Sequence, residues 1–287
     1  MGLSGYRAHM LKNTPRGSRL RLTRRGRTVL TVAAAAAAAT VVVVVVLLPD
    51  DSESGPRSLT VPEGRRAGQV YESVDKALGL SPGTTKGHVT KAGLKLPGEA
   101  GGDPEGYLFP ATYPLNDKST PESVLSYMVN TANERLTGGN VTAGADRNAV
   151  SVYQTVTVAS IVQAEADSAK DMSRVARVIY NRLDQGMPLQ MDSTINYALK
   201  RSTLDTTHHD TRTNSPYNTY AKKGLPPTPI TNPGEDAIRA ATKPATGDWL
   251  YFVTVKPGDT RFTGRYDEHQ KHVAEFNRLR RSASPDG

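Results

Sequence analysis

The chain has 287 residues, enough for one large domain or two small ones, with a formal net charge of +8 and no cysteine. Eight of its 36 basic residues (Arg7, Lys12, Arg16, Arg19, Arg21, Arg24, Arg25, Arg27) lie in residues 1 to 28, which hold no acid, so the rest carries 28 basic against 28 acidic residues. That neutral remainder has no built-in counterion-release term for nucleic acid, and the missing cysteines exclude disulfides and thiolate metal sites.

Residues 1 to 28 read as a basic tail, followed by Val29 to Leu48, twenty residues without a charge. A helix of that length spans roughly 30 Å, the thickness of a bilayer core, so the stretch predicts a transmembrane helix. The rival is a cleaved signal peptide, which would leave the apolar run Val41 to Leu48 exposed. Arg24, Arg25 and Arg27 precede the stretch and Asp50, Asp51 and Glu53 follow it. The positive-inside rule then predicts a single-pass cell-membrane protein, its N-terminus cytoplasmic and its main domain outside.

Residues 49 to 56 read as a turn-rich linker, and 57 to 98 as a small strand-plus-helix unit. In that unit RSLTVPEG suggests a strand and turn. GQVYESVDKALGL suggests a helix with Val70, Val74, Ala77 and Leu78 on one side, and TKGHVTKAGL a second short one. Residues 99 to 280 form the larger unit, and 281 to 287 a frayed tail. Two prolines bar a long helix in GYLFPATYPL. PESVLSYMVNTANERL predicts a helix opening on Pro121, and Thr137 to Asn148 a loop. Further helices are expected at Ala149 to Ala166, Met172 to Leu183, Ser193 to Leu199 and Glu235 to Ala241. WLYFVTV predicts a strand, and DEHQKHVAEFNRLRR a C-terminal helix with acids early and bases late. The fold class is α+β: a mostly helical larger unit with few strands, behind one membrane helix.

The segment SVYQTVTVASIVQAEA is apolar nearly all round, with Glu165 near its C-terminal end. Burial and the negative end of the helix dipole both disfavour the charged carboxylate, so its pKa should rise, as a general acid requires. The plainer alternative is a glutamate facing water or Lys170.

ASIVQAEA, then VIYNRLDQGMPLQMDSTINYAL, then SPYNTYAKKGLPPTPITNPGEDAIRAA, resemble the endolytic murein transglycosylase family, the YceG-like proteins. EGYLFPATY, the strand YFVTV and the terminal DEH helix fit the family in order and spacing, and the resemblance covers roughly residues 58 to 280. It implies a LysM-like small unit and a helical catalytic domain of lytic-transglycosylase type. The implied activity is cleavage of nascent peptidoglycan strands to leave 1,6-anhydro-N-acetylmuramic acid ends. The family's catalytic glutamate falls on Glu165. A second glutamate of many members is Gln163 here, and Thr260 stands before Arg261 and Phe262 where many members have a histidine.

Such an enzyme needs one carboxyl that serves as acid and then base, because the substrate's own C6 hydroxyl is the nucleophile. Gln190, Asp192 and Asn196 are candidate substrate-binding residues after the helix end Tyr180-Asn181-Arg182. Ser215, Tyr217, Asn218 and Tyr220 form a loop whose rings and short polar groups suit sugars. An architectural role for each is the alternative, and Asn181 and Arg182 are expected to brace the acid's helix. Pro226, Pro227 and Pro229 are expected to stiffen a loop that places Asn232. Loops 186 to 190 and 221 to 234 are candidate walls of a cleft open at both ends. His208 and His209 lack a third ligand, so no metal site and no cofactor are expected. The expected partners are peptidoglycan strands, the membrane through one helix, and the wall-synthesis machinery, with no nucleic acid. Two rivals are a muramidase-like hydrolase using Glu165 with Asp192, and a non-catalytic glycan-binding scaffold.

Overall fold

The computed structural model describes residues 57–203 and 206–283. Strand β1 (Ser58–Thr60) pairs antiparallel with β2 (Thr112–Pro114), with Leu59 opposite Tyr113. Between them lie helices α1 (Ala67–Leu78) and α2 (Thr84–His88). The β1–β2 pairing thus ties the first described residues to the GYLFPATYPL segment, whose prolines keep it extended. Helix α1 ends at Gly79, whose φ of 67° is the left-handed conformation that a glycine takes without a Cβ penalty.

Helix α3 (Pro121–Leu136) starts on a capping box between Thr120 and Ser123, with Pro121 where a missing N–H does no harm. Helix α4 (Gly139–Arg147) occupies the stretch read from sequence as a loop. Its two glycines and a threonine are poor helix formers. Packing decides the matter: Val141 and Ala145 are buried, and a Cβ on Gly144 would come within 2.6 Å of the Thr242 side chain.

Helices α5 (Val152–Glu165), α6 (Ala169–Asp184) and α8 (Glu235–Thr242) pack against one another at the centre. The eight consecutive α5 residues from Thr155 to Val162 are buried, and Tyr153 with them, as a helix apolar on nearly every side requires. Helix α5 begins on a reciprocal capping box: Gln154 N–H donates to Ser151 Oγ at 3.1 Å and Ser151 N–H to Gln154 Oε1 at 2.9 Å. Between α6 and α8 the short helix α7 (Asp192–Ala198) faces α5. The chain closes with a hairpin, β3 (Tyr251–Lys256) and β4 (Asp259–Thr263), and helix α9 (Tyr266–Ala283) packed on it. Strand β4 was not expected from sequence. Its alternation shows only once Phe262 is set opposite Phe252.

One hydrophobic core runs from Leu59, Val70 and Val74 through Leu108, Leu125 and Met128 to Val158, Ile161, Ile179 and Ala241.

The expected membrane segment, Val29–Leu48, lies outside the described residues. Among the described residues no helix is long and apolar enough to cross a membrane. The most apolar, α5, has 14 residues, about 21 Å at 1.5 Å per residue against roughly 30 Å of hydrocarbon. The 18-residue α9 is heavily charged. For the described residues the fold class is therefore corrected to a mostly helical α+β fold with few strands and no membrane-crossing helix. The single-pass cell-membrane localisation, the transmembrane description and the membrane as partner are corrected to the same extent: no helix of the described residues supplies the span they need.

Candidate active site

Glu165 is the last residue of α5, because Ala166 leaves the helix for an extended conformation (φ −145°, ψ 140°). Its half-buried carboxyl meets the first turn of α7, where the Ser193 N–H donates to Oε1 at 3.2 Å. Burial raises the Glu165 pKa above the ordinary carboxyl value. The Ser193 hydroxyl and N–H pull it down, and the negative charge of Asp192 pushes it up. The Ser193 Oγ, itself buried, acts on the carboxyl from just outside hydrogen-bonding geometry. Ser193 is the site residue that sequence reading missed. Nothing local marks it, since its importance comes from a contact 28 positions away.

Asp192 opens α7, and the Tyr220 hydroxyl donates to its Oδ1 at 2.5 Å. Charge-assisted bonds of this kind are short and strong. Burial, then the bond to Asp192, pushes the Tyr220 pKa up. Asp192, Ser193, Glu165 and Tyr220 are thus brought together.

Gln190 precedes this group in a left-handed conformation, φ 54°, costly for a side chain with a Cβ. The surroundings hold it there. Gln190 N–H donates to Thr219 O at 3.0 Å, and Gln190 Oε1 accepts from Arg182 Nη1 at 3.1 Å. Thr219 Oγ1 accepts from Met191 N–H at 3.0 Å and lies 2.8 Å from Thr194 Oγ1. A bridge between Pro188 and Lys223 joins the same two segments. The loops around 188 and 223 are therefore bonded into one ledge.

The remaining residues separate by what they touch. Arg182 is buried and donates to Leu250 O (2.6 Å), Pro188 O (3.0 Å) and Leu189 O (2.8 Å). It joins the ledge to the start of β3. Asn181 Nδ2 donates to Gly247 O and Trp249 O. Asn196 is consumed by Thr203 O and Arg201, and fully buried Asn218 by Thr211 O, Thr213 O and the N–H groups of Tyr220 and Ala221. Ser215 closes a turn by accepting from Tyr217 N–H. The Tyr217 hydroxyl pairs with Thr228, and its ring lies 4.9 Å from that of Tyr197.

Gln163 Oε1 accepts from Gly234 N–H at 2.9 Å, so it caps α8. Buried Asn232 receives Leu108 N–H at 2.7 Å and donates to Arg65 O at 2.8 Å. Thr260 lies in the β3–β4 hairpin, its hydroxyl 3.0 Å from that of Thr254. His208 and His209 are exposed. Among the described residues no group of three His, Asp or Glu is placed to hold a metal ion.

A second buried carboxyl, Glu105, accepts Ala67 N–H on both oxygens (3.0 and 3.1 Å) and the Tyr197 hydroxyl at 3.2 Å. Burial raises its pKa to about 8. It closes the junction between α1 and the segment before β2. The next residue, Gly106, has φ 86°, and a Cβ there would lie 2.6 Å from Pro229.

The described fold is thus mostly helical α+β, with a half-buried carboxyl at the end of a central helix facing the Asp192-Ser193 turn. The profile of the YceG-like family matches residues 35–275, and the chain belongs to that family. It is 39% identical over 173 residues to a Bacillus subtilis protein described as an endolytic murein transglycosylase, covering 60% of this chain and 48% of that one. It is 31% identical over 245 residues to one so described from Streptococcus pneumoniae, covering 76% and 44%. The chain thus spans about half the length of the curated relatives it matches. A solved YceG-like protein of Listeria monocytogenes superposes with a TM-score of 0.66 at 29% identity, over 76% of each chain.

Proposed function

We propose that the protein is an endolytic lytic transglycosylase of peptidoglycan with Glu165 as its acid and base. Its substrate is the β-1,4 bond from N-acetylmuramic acid to N-acetylglucosamine in a glycan strand. Protonated Glu165 gives its proton to the glycosidic oxygen as the bond to the muramoyl C1 breaks. The C6 hydroxyl of the same sugar then bonds to C1 and returns its proton to Glu165. One end of the break carries a free 4-hydroxyl and the other a 1,6-anhydro ring, and no water is consumed. The nucleophile is tethered to the reacting carbon, which removes the entropic cost of recruiting a water.

The observation that carries this reading is the Glu165 carboxyl itself. It is half-buried, its pKa is raised by burial, and one oxygen is held by the Ser193 N–H. Family membership and two relatives described as endolytic murein transglycosylases support the same chemistry.

A hydrolytic reading has one observation in its favour: Asp192 is near enough for its charge to act on Glu165. Against it, the Asp192 carboxylate is engaged by Tyr220. Digestion of purified glycan strands, followed by mass spectrometry of the new ends, tests the proposal. Transglycosylation gives ends lighter by one water than the reducing ends of hydrolysis. Reducing ends alone would overturn it.

A further inference from the structure

One helical turn along α7 from Ser193, Tyr197 forms a wall of a separate pocket of about 740 Å³. The opposite side comes from the start of α1 and from α2, including Tyr71 and Lys86. Glu105 lies at its base, with its oxygens already used by Ala67, Tyr197 and Asn232. The Arg66 guanidinium covers the Tyr197 ring, 5.3 Å from its centroid, and donates to Arg201 O at 2.8 Å. Arg201 is neutralised from behind by Asp210, through a salt bridge of 2.7 Å.

Two cations on this pocket are left over. Lys86 and Lys200 are exposed and in no ion pair among the described residues. Lys200 is held at φ 52°, at the end of α7, where glycine or asparagine is the ordinary choice. Two acids, Glu72 and Asp103, also line the pocket and are exposed. A neutral sugar calls for rings, amides and hydroxyls, and has no use for separated free charges of both signs. A simple anion is disfavoured by the two acids. A short peptide bearing carboxylates and an ammonium group matches both sets, with Tyr71 and Tyr197 beside its backbone.

We propose that this pocket binds the stem peptide of a peptidoglycan strand, with Lys86 and Lys200 receiving its carboxylates while the sugar chain lies at Glu165. The lactyl ether that carries the peptide is on the same muramoyl residue whose C1 reacts, so a peptide site beside the acid helps set the register of cleavage. The inference rests on the glycan-cleaving reading of Glu165. It adds a second point of recognition, specific for strands that still carry peptides.

The test uses the full chain and two probes. Titration calorimetry with a free stem tetrapeptide reads the pocket without any cleavage. Wild type should bind it saturably, and the Lys86→Glu/Lys200→Glu variant should bind roughly five- to twenty-fold more weakly, the range for two partly solvated charge contacts reversed together. Kinetics then compare peptide-bearing strands with the same strands stripped by an amidase. Wild type should show a lower KM on the peptide-bearing strands. The variant should lose that preference and cut stripped strands at the wild-type rate. Absence of tetrapeptide binding, or an unchanged preference in the variant, overturns the proposal. If tetrapeptide binds but no strand is cut, the reading of Glu165 fails and the peptide site stands.

Discussion

The Ser193 N–H donates to Glu165 Oε1 at 3.2 Å, and so joins the first turn of α7 to the last residue of α5. The contact fixes one carboxyl oxygen, and no other hydrogen bond from the described residues reaches the group within ordinary geometry. An acid that must deliver a proton and then take one back needs this combination of a held carboxyl and an uncommitted oxygen.

Glu165→Gln keeps the size of the side chain and an oxygen for the Ser193 N–H, and removes the proton. General acid–base catalysis is worth about 100- to 10,000-fold, and one group in both roles should fall near the upper end. The variant should fold and melt at or above the wild-type temperature, because a buried ionisable group has gone. Formation of anhydro ends should drop while strand binding persists. A folded variant with more than about a tenth of the wild-type rate would remove Glu165 from the acid–base role.

Glu105 makes a prediction about stability. Its folded pKa is raised to about 8 by burial, whereas an unfolded glutamate titrates near 4.3. Below both values the two states hold the proton equally. As pH rises between them, only the unfolded state ionises, so stability falls across that window and levels off above about pH 8. Glu105→Gln should abolish this part of the slope. Denaturant unfolding at pH 5, 7 and 8.5 measures it, and parallel profiles for the two proteins would contradict the assignment.

Arg182 is a buried fork that satisfies three carbonyls on two segments. A lysine carries the charge but not the planar geometry. Arg182→Lys should lower stability by about 2–4 kcal/mol, the scale for losing charge-assisted hydrogen bonds at a buried site. Activity should fall with it, because the ledge leading into Asp192 and Ser193 loses its anchor. Chemical denaturation checks the first effect and strand cleavage by the remaining folded protein the second.

These contacts also show where sequence reading stops. The course of α5 was legible because its apolar residues leave no polar face, and Glu165 was legible as a carboxyl at the end of such a helix. The raised pKa of Glu165 follows from the same burial. Ser193, by contrast, is one polar residue among several, and only the approach of α7 to α5 selects it. Asn196 and Asn218 look like sugar ligands in the sequence, but backbone carbonyls and N–H groups take up their amides. Helix α4 was hidden by its glycines, because the reason for Gly144 is Thr242, almost a hundred residues later. Local pattern carries the elements, and contacts between distant segments decide what the polar residues do.

Removing the Ser193 hydroxyl tests the carboxyl's surroundings from one side. Ser193→Ala keeps the N–H that holds Oε1 and takes away a group that favours the charged form. The Glu165 pKa should rise further. The alkaline limb of the kcat/KM profile, which reports loss of the acid's proton, should therefore move to higher pH. An unmoved limb would mean that the hydroxyl does not act on Glu165.

Asp192→Asn tests it from the other side, and the shift has the opposite sign. The Asp192 charge raises the Glu165 pKa, so neutralising it should lower that pKa and move the alkaline limb to lower pH. The Tyr220 bond to this side chain weakens as well, since a charged acceptor becomes a neutral one. Transfer to the C6 hydroxyl needs no second carboxylate, so under that chemistry the variant should keep more activity than Glu165→Gln at the pH optimum. Hydrolysis with Asp192 as base would make the two losses nearly equal, within the roughly 100- to 10,000-fold range of a proton-transfer group. The pH profile, the maximal rate and the mass of the new ends, measured on the same strands, separate the two cases. A loss from Asp192→Asn as deep as that from Glu165→Gln, with reducing ends in the wild-type digest, would transfer the reaction from intramolecular transfer to hydrolysis.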